Sequence, residues 1–217
     1  MKYYPISLDI SNRRCVVVGG GEVAERKVCR LLDSGAEVTV VSETFTPALR
    51  ALGKDGKIRL IARAYAAPLI EGAFLVFGTT DDEAVNEAVF RDARQKNIPV
   101  NIADDPKRCD FILPSLLEEG SLQIAVSTGG KSPALARRIR LELEALYGPE
   151  YAPFLEILGE LRKRVLSKGL PQSENKEIFD ALIRSEILEK IRGNEWDGVG
   201  RLILKITGEK LNLEKYK

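Results

Sequence analysis

Histidine is absent from this sequence. That removes the one side chain that titrates near neutrality, the Ser-His and Cys-His dyads built on it, and the commonest zinc ligand. Proton transfer must then fall to Asp, Glu, Lys, Tyr or Cys. Cysteine is scarce: Cys15, Cys29 and Cys109 are odd in number, scattered, and form no Cys-x-x-Cys pair. A disulfide framework or a thiolate metal site is therefore not supported, and reduced thiols in a cytosol fit best. Long apolar runs are also missing. The first ten residues include Pro5 and Asp9, and no stretch approaches the ~20 apolar residues of a membrane span. A soluble, cytoplasmic protein with no membrane partner is expected. Nor is there an excess of one charge, since 33 Lys and Arg face 32 Asp and Glu for a net of +1. Without surplus cations to follow a polyanion, nucleic acid is not an expected partner.

What is present is ordinary globular material. The 217 residues are 44% hydrophobic and 30% charged, enough for a real core in one domain with additions or in two small ones. Cys15 to Val18 is an apolar run that meets three glycines, and Ala24, Val28, Leu31 and Leu32 then recur at helical spacing. This predicts strand, tight turn, helix. Ser34 and Gly35 end the helix, and Glu37 to Val41 is a β-branched run suited to a sheet buried on both faces. A short helix over Pro47–Leu52 follows, with strands over Lys57–Ala62, Phe74–Phe77 and Pro99–Ala103 and a helix from about Glu83 to Lys96. Strands alternating with helices predict an α/β fold with an open parallel sheet. After Asp104 two strands are expected, over Phe111–Leu117 and Leu122–Thr128. A helix over Ala134–Tyr147 is started by Ser132 and Pro133. Beyond it, residues 154–167 and 174–192 predict amphipathic helices, and Leu202–Ile206 a strand pattern. The boundaries fall near 112 and 148.

Gly19-Gly20-Gly21-Glu22-Val23-Ala24 fits the dinucleotide pattern G-x-G-x-x-A. The first glycine makes the turn, the second lets backbone approach a pyrophosphate, and the small last residue permits close helix packing. Amides at the helix start, including those of Glu22 and Val23, then face the anion. At the end of the second strand Glu43 stands near the offset of a ribose-binding acid, with Ser42 or Thr44 as alternatives for the hydroxyl. An acid there repels a 2′-phosphate, which favours NAD over NADP. Thr79 and Thr80, with Asp81 and Asp82, either line the nucleotide crevice or cap the next helix.

Asp104 and Asp105 come straight after a strand, at the sheet edge where open α/β folds bind ligands. In a chain without His, a carboxylate there is the leading candidate base. A turn started by Asp105-Pro106 is the equal alternative. Gly130-Lys131-Ser132 is not a P-loop, because Ala125 stands where that motif requires glycine. It remains a glycine-rich helix N-terminus with Lys131, Arg137, Arg138 and Arg140 nearby, suited to carboxylates or phosphates. For any one of those arginines a solvated helix surface explains the residue as well.

Several segments together resemble a known family. They are Val17 to Lys27, Thr80-Asp81-Asp82, Asn101 to Asp105, Phe111 to Ser115, and Ser127 to Arg137. In order and without large gaps from about Tyr4 to Tyr147, the chain is similar to siroheme synthase, and within it to the precorrin-2 dehydrogenase and sirohydrochlorin ferrochelatase module. The resemblance implies an NAD-binding Rossmann domain over 1–112, a dimerisation region over 113–148 and a small helical C-terminal domain with a tail over 149–217, assembled as a homodimer. It implies NAD-dependent oxidation of precorrin-2 to sirohydrochlorin, with Fe2+ insertion to siroheme in some members. The family's essential aspartate falls on Asp104. Ser127, Thr128, Gly129, Gly130, Lys131 and Arg137 become the implied substrate-binding residues, facing a tetrapyrrole with eight carboxylates. A chain ending at Lys217 has no room for the uroporphyrinogen methyltransferase of the fused enzymes, so methylation is expected from another protein. Beyond Tyr147 the similarity fades. A non-catalytic NAD-sensing domain shares the glycine motif, as does a dehydrogenase of another small acid. The first of these needs no Asp104.

Overall fold

The computed structural model describes residues 3–217, and the chain divides into two compact units, 1–113 and 114–217. In the first unit the elements are β1 (Arg14–Val18), α1 (Glu22–Asp33), β2 (Glu37–Ser42), α2 (Pro47–Lys54), β3 (Arg59–Ala62), β4 (Leu75–Gly78), α3 (Glu83–Gln95) and β5 (Val100–Ile102). The strands form one sheet in the order β3-β2-β1-β4-β5, with every neighbouring pair parallel. The α/β fold and parallel sheet read from the sequence are therefore found.

Alternation along the strands explains the two faces. Cys15, Val17, Val38, Val40, Leu75 and Phe77 face one way and pack with Ala24, Val28 and Leu31 of α1 and Leu49 of α2. Val16, Val18, Val76, Val100 and Ile102 face the other way and pack with Val89 and Ala93 of α3. Burial on both faces is why these strands are almost wholly β-branched or apolar. The chain leaves β1 toward β2 on one side and later returns to β4 on the other. The order thus reverses beside β1, which in open sheets opens a crevice outside the carboxyl ends of the strands.

The second unit begins with an antiparallel pair, β6 (Ser115–Glu119) and β7 (Leu122–Val126). Five helices follow: α4 (Pro133–Glu144), α5 (Tyr151–Leu166), α6 (Gln172–Arg184), α7 (Ile187–Arg192) and α8 (Trp196–Thr207). Phe154, Ile157, Leu161, Leu182, Ile187, Ile191, Val199 and Ile203 form a core shared by α5, α6, α7 and α8, while α4 packs against β6 and β7. Two expectations are corrected here. The run Leu202–Ile206 is helical, the last turns of α8. Val199 and Ile203 repeat at helical spacing on its buried face, and Gly208 closes it with a left-handed φ of 74°. The single helix expected over 174–192 breaks at Ser185, whose hydroxyl donates to the Leu182 carbonyl and takes over the role of a continuing amide. Among the described residues no helix is long and apolar enough to cross a membrane.

Candidate active site

The chain turns from β1 into α1 through Gly19-Gly20-Gly21. Gly19 has φ 123°, and a Cβ there would lie 2.5 Å from Thr79 Oγ1. Gly20 lies under the loop after β2, where a Cβ would stand 1.9 Å from the Thr44 carbonyl oxygen and 2.9 Å from Ser42 Oγ. Backbone hydrogen bonds hold this arrangement: Gly19 N–H donates to Val41 O at 2.9 Å, Thr46 N–H to Gly20 O at 2.9 Å and Thr79 N–H to Val18 O at 2.8 Å. The structure thus gathers Gly19, Gly20, Ser42, Thr44 and Thr79 at the carboxyl edge of the sheet.

Gly21 is different. It begins α1 with extended backbone and no capping side chain, and a Cβ there would meet nothing within 4 Å. The amides of Glu22 and Val23 therefore open onto free space at the positive end of the helix, a cradle for an anion. Thr46 and Asp82, by contrast, cap α2 and α3 with their side chains. Ser42 is half-buried, while Glu43 and Thr44 are exposed and Glu43 makes no ion pair among the described residues.

Thr79 is buried and its hydroxyl donates to Val18 O at 3.0 Å, closing the turn against Gly19. Thr80 Oγ1 accepts from Asp82 N–H at 3.1 Å, and Asp82 accepts from Ala84 N–H at 2.8 Å. Asp82 thus caps α3 with Thr80 bonded behind it, and Thr79 closes the turn at Gly19.

The two adjacent acids after β5 separate clearly. Asp105 accepts from Lys107 N–H at 2.9 Å and pairs with Arg108 Nε at 2.6 Å. The Arg108 hydrogen bond holds its carboxyl below the usual range. Arg108 also pairs with Glu87 at 3.1 Å and with Glu83. Asp104 is exposed, left-handed at φ 60°, and among the described residues makes no hydrogen bond or ion pair through its side chain. It follows Ala103, whose N–H donates to Gly78 O at 2.8 Å, so it sits beside the end of β4.

Sequence reasoning passed over the strap that positions it. Residues 104–111 fold back along β5: Asn101 Nδ2 donates to Phe111 O at 2.9 Å and to Cys109 Sγ at 3.4 Å. The Phe111 ring meets Phe77 edge-on at 5.5 Å. Lys27 is half-buried on the sheet side of α1. Burial, and then Arg30 and Arg26 beside it, lower its pKa, while Asp104 and Cys109 oppose that shift. Signals for both were present. Lys27 falls three residues after Ala24 on an otherwise apolar stripe, and Asn101 interrupts an apolar strand.

The expected substrate-binding residues lie in the second unit. Ser127 Oγ accepts from Gly129 N–H at 3.1 Å, and Thr128 Oγ1 from Ser132 N–H at 3.0 Å. Gly129 and Gly130 are both left-handed, with φ of 63° and 83°. Arg138 pairs with Glu142 at 2.9 Å and Arg140 with Glu144. The exposed Lys131 and Arg137 form no ion pair among the described residues. Among the described residues no cluster of three or more potential metal ligands occurs.

A parallel sheet whose order reverses beside a glycine turn, with uncapped helix amides facing open space, defines a dinucleotide-binding domain of the Rossmann type. The chain belongs to the family described as putative NAD(P)-binding, which matches residues 6–115, and residues 119–146 match the central part of sirohaem biosynthesis proteins. Siroheme synthase 2 of Yersinia enterocolitica is 37% identical over 90% of this chain and 41% of its own length. Siroheme synthase 1 of Serratia proteamaculans is 42% identical over 83% of this chain and 38% of its own. The chain thus spans about two fifths of the curated relatives it matches. A solved structure titled SirC, precorrin-2 dehydrogenase superposes with a TM-score of 0.78 at 25% identity, covering 95% of this chain and all of that one. The nicotinamide dinucleotide expected from the sequence is the cofactor of this domain. The space before Gly21 and the amides of Glu22 and Val23 fit its pyrophosphate.

Proposed function

We propose that this protein oxidises precorrin-2 to sirohydrochlorin with NAD. The observation that carries the reading is Asp104, an exposed carboxylate that makes no side-chain hydrogen bond or ion pair among the described residues and is held in left-handed backbone just after β5. The full-length likeness to a structure titled as a precorrin-2 dehydrogenase supports the substrate.

When bound, NAD would supply the acceptor for a hydride leaving a carbon of the macrocycle. The residues of the chain do the rest. Gly19, Gly20 and Gly21 with the α1 amides would hold the pyrophosphate, and the turn Ser42-Glu43-Thr44 would receive the adenosine ribose. The Glu43 carboxylate there repels a 2′-phosphate and so selects NAD over NADP. Asp104 accepts the proton that balances the lost hydride; being exposed, it passes that proton to water. Asp105 and Asp110, committed to Arg108 and Arg94, fix the strap rather than react. The second unit carries donors of the kind a polycarboxylate needs, in Lys131, Arg137 and the Gly129-Gly130 turn. The same reading includes a cytoplasmic homodimer joined through 113–148, where the edges of a two-stranded sheet are open to pairing.

The test is to incubate the protein with precorrin-2 and NAD and to follow sirohydrochlorin and NADH absorbance together. Both signals should rise in equal amounts, and their joint failure with NAD bound overturns the reading. A second arm adds ferrous iron anaerobically to the product and reads siroheme. Asp104→Asn tolerates positive φ as Asp does, so fold and NAD affinity should survive while turnover falls by ~10²–10⁴.

A further inference from the structure

Arg108 holds a crowded place in the strap. Its side chain is only 14% exposed, and each of its three nitrogens meets a different carboxylate: Nε meets Asp105 at 2.6 Å, one terminal nitrogen meets Glu87 at 3.1 Å, and the other meets Glu83. One cation thus gathers three acids, where charge balance asks for one. The flat guanidinium makes this possible, because its donors point outward in fixed directions.

The acids come from two places. Glu83 and Glu87 stand one turn apart at the start of α3, the end that Asp82 caps. Between them the buried Asn86 donates from Nδ2 to Thr80 O at 2.8 Å, tying this end of α3 to the turn after β4 where Thr79 closes against Gly19. Asp105 belongs to the strap and directly follows Asp104. Its carboxylate also accepts from Lys107 N–H at 2.9 Å, and its own N–H donates to Ile102 O at 3.3 Å.

This arrangement meets two opposed demands of the proposed reaction. A base needs an unengaged carboxylate, yet it must also stay in position. Asp104 makes no side-chain bond among the described residues that could hold it, and its backbone is left-handed at φ 60°. Its place is therefore set by the residues on either side. Ala103 N–H is bonded to Gly78 O at 2.8 Å on one side, and Arg108 grips Asp105 on the other.

Resting on the dehydrogenase reading, we infer that Arg108 is a positioning residue. Its guanidinium fastens Asp105 to Glu83 and Glu87 of α3, and so holds the neighbouring Asp104 in place while leaving that carboxylate free to take a proton.

The experiment compares wild type with Arg108→Met, Arg108→Lys, Asp105→Asn, the double variant Arg108→Met/Asp105→Asn, and Glu83→Gln/Glu87→Gln. It measures KM and kcat for precorrin-2, NAD affinity, sirohydrochlorin affinity by fluorescence quenching, and the folded fraction by circular dichroism at the assay temperature. Arg108→Met should lower kcat about 10-fold or more, as a slightly misplaced catalytic group does. KM and both affinities should stay within about 3-fold, because ground-state binding is untouched. Arg108→Lys should recover part of kcat, since an ammonium can meet Asp105 but cannot span three carboxylates. The double variant should turn over within about 2-fold of the slower single variant, because both substitutions cut one link. Glu83→Gln/Glu87→Gln leaves Asp105 and Arg108 in place and alters only largely exposed acids, so it should fold, and its kcat should still fall. A folded Arg108→Met with wild-type kcat overturns the inference, as does a loss shared equally by kcat and NAD affinity, which would assign Arg108 to general stability. Should Arg108→Met not fold, wild-type kcat in Glu83→Gln/Glu87→Gln overturns it instead. A wild-type protein that binds NAD but does not oxidise precorrin-2 overturns the dehydrogenase reading and this inference with it.

Discussion

Gly20 carries no reactive atom, yet the β2–α2 loop crosses it so closely that a single methyl group would sit 1.9 Å from the Thr44 carbonyl oxygen. A carbonyl cannot yield as a flexible side chain does, so Gly20→Ala must displace the loop that holds Ser42, Glu43 and Thr44. NAD affinity should fall at least ~10-fold, consistent with a misplaced binding loop; titration calorimetry giving the wild-type value would contradict this geometry. At the same scale, Asp104 and Asp105 were indistinguishable as sequence, two acids after a strand with a proline next. Neighbours far along the chain divide them. Glu83 and Glu87 on α3 gather Arg108, and Arg108 takes Asp105, leaving Asp104 unpaired. Lys27 was legible only as a break in an apolar stripe.

Elements repeat this division. The β1–α1–β2 unit could be read directly, since an apolar run, three glycines and a helical period are all local signals. Leu202–Ile206 misled because a short apolar run fits strand and helix alike; packing of Val199 and Ile203 into the helical core settles it. The strap had no periodicity to read. The tail after α8 folds back onto α5. There the Tyr216 hydroxyl donates to Glu160 Oε2 at 2.6 Å, and Lys215 and Arg164 pair with the same carboxylate. These bonds, Lys215 foremost, hold the Glu160 pKa at about 2 against an ordinary 4.5. A depressed folded-state value means the contribution is complete above pH ~4.5 and is lost as pH falls from there toward 2. Glu160→Gln should cost on the order of 1 kcal/mol at pH 7, the scale of a partly exposed ion-pair network, and little near pH 2. Denaturant unfolding at both pH values checks this, and an equal cost at each would contradict it.

The molecule as a whole is two units with separate cores, and everything assigned to dinucleotide binding lies in the first. A fragment of residues 1–113 should therefore fold and bind NAD within about 3-fold of the full chain; a fragment that expresses unfolded, by circular dichroism, would show that the first core does not suffice. By itself the sequence determined the parallel α/β class, the glycine turn and its cofactor, because these depend on contacts within some thirty residues and on the steric demands of glycine. Only the tertiary structure decided which acid stays unpaired among the described residues and where the tail docks. Those outcomes depend on charges and side chains brought together from distant segments, and local periodicity carries no record of them.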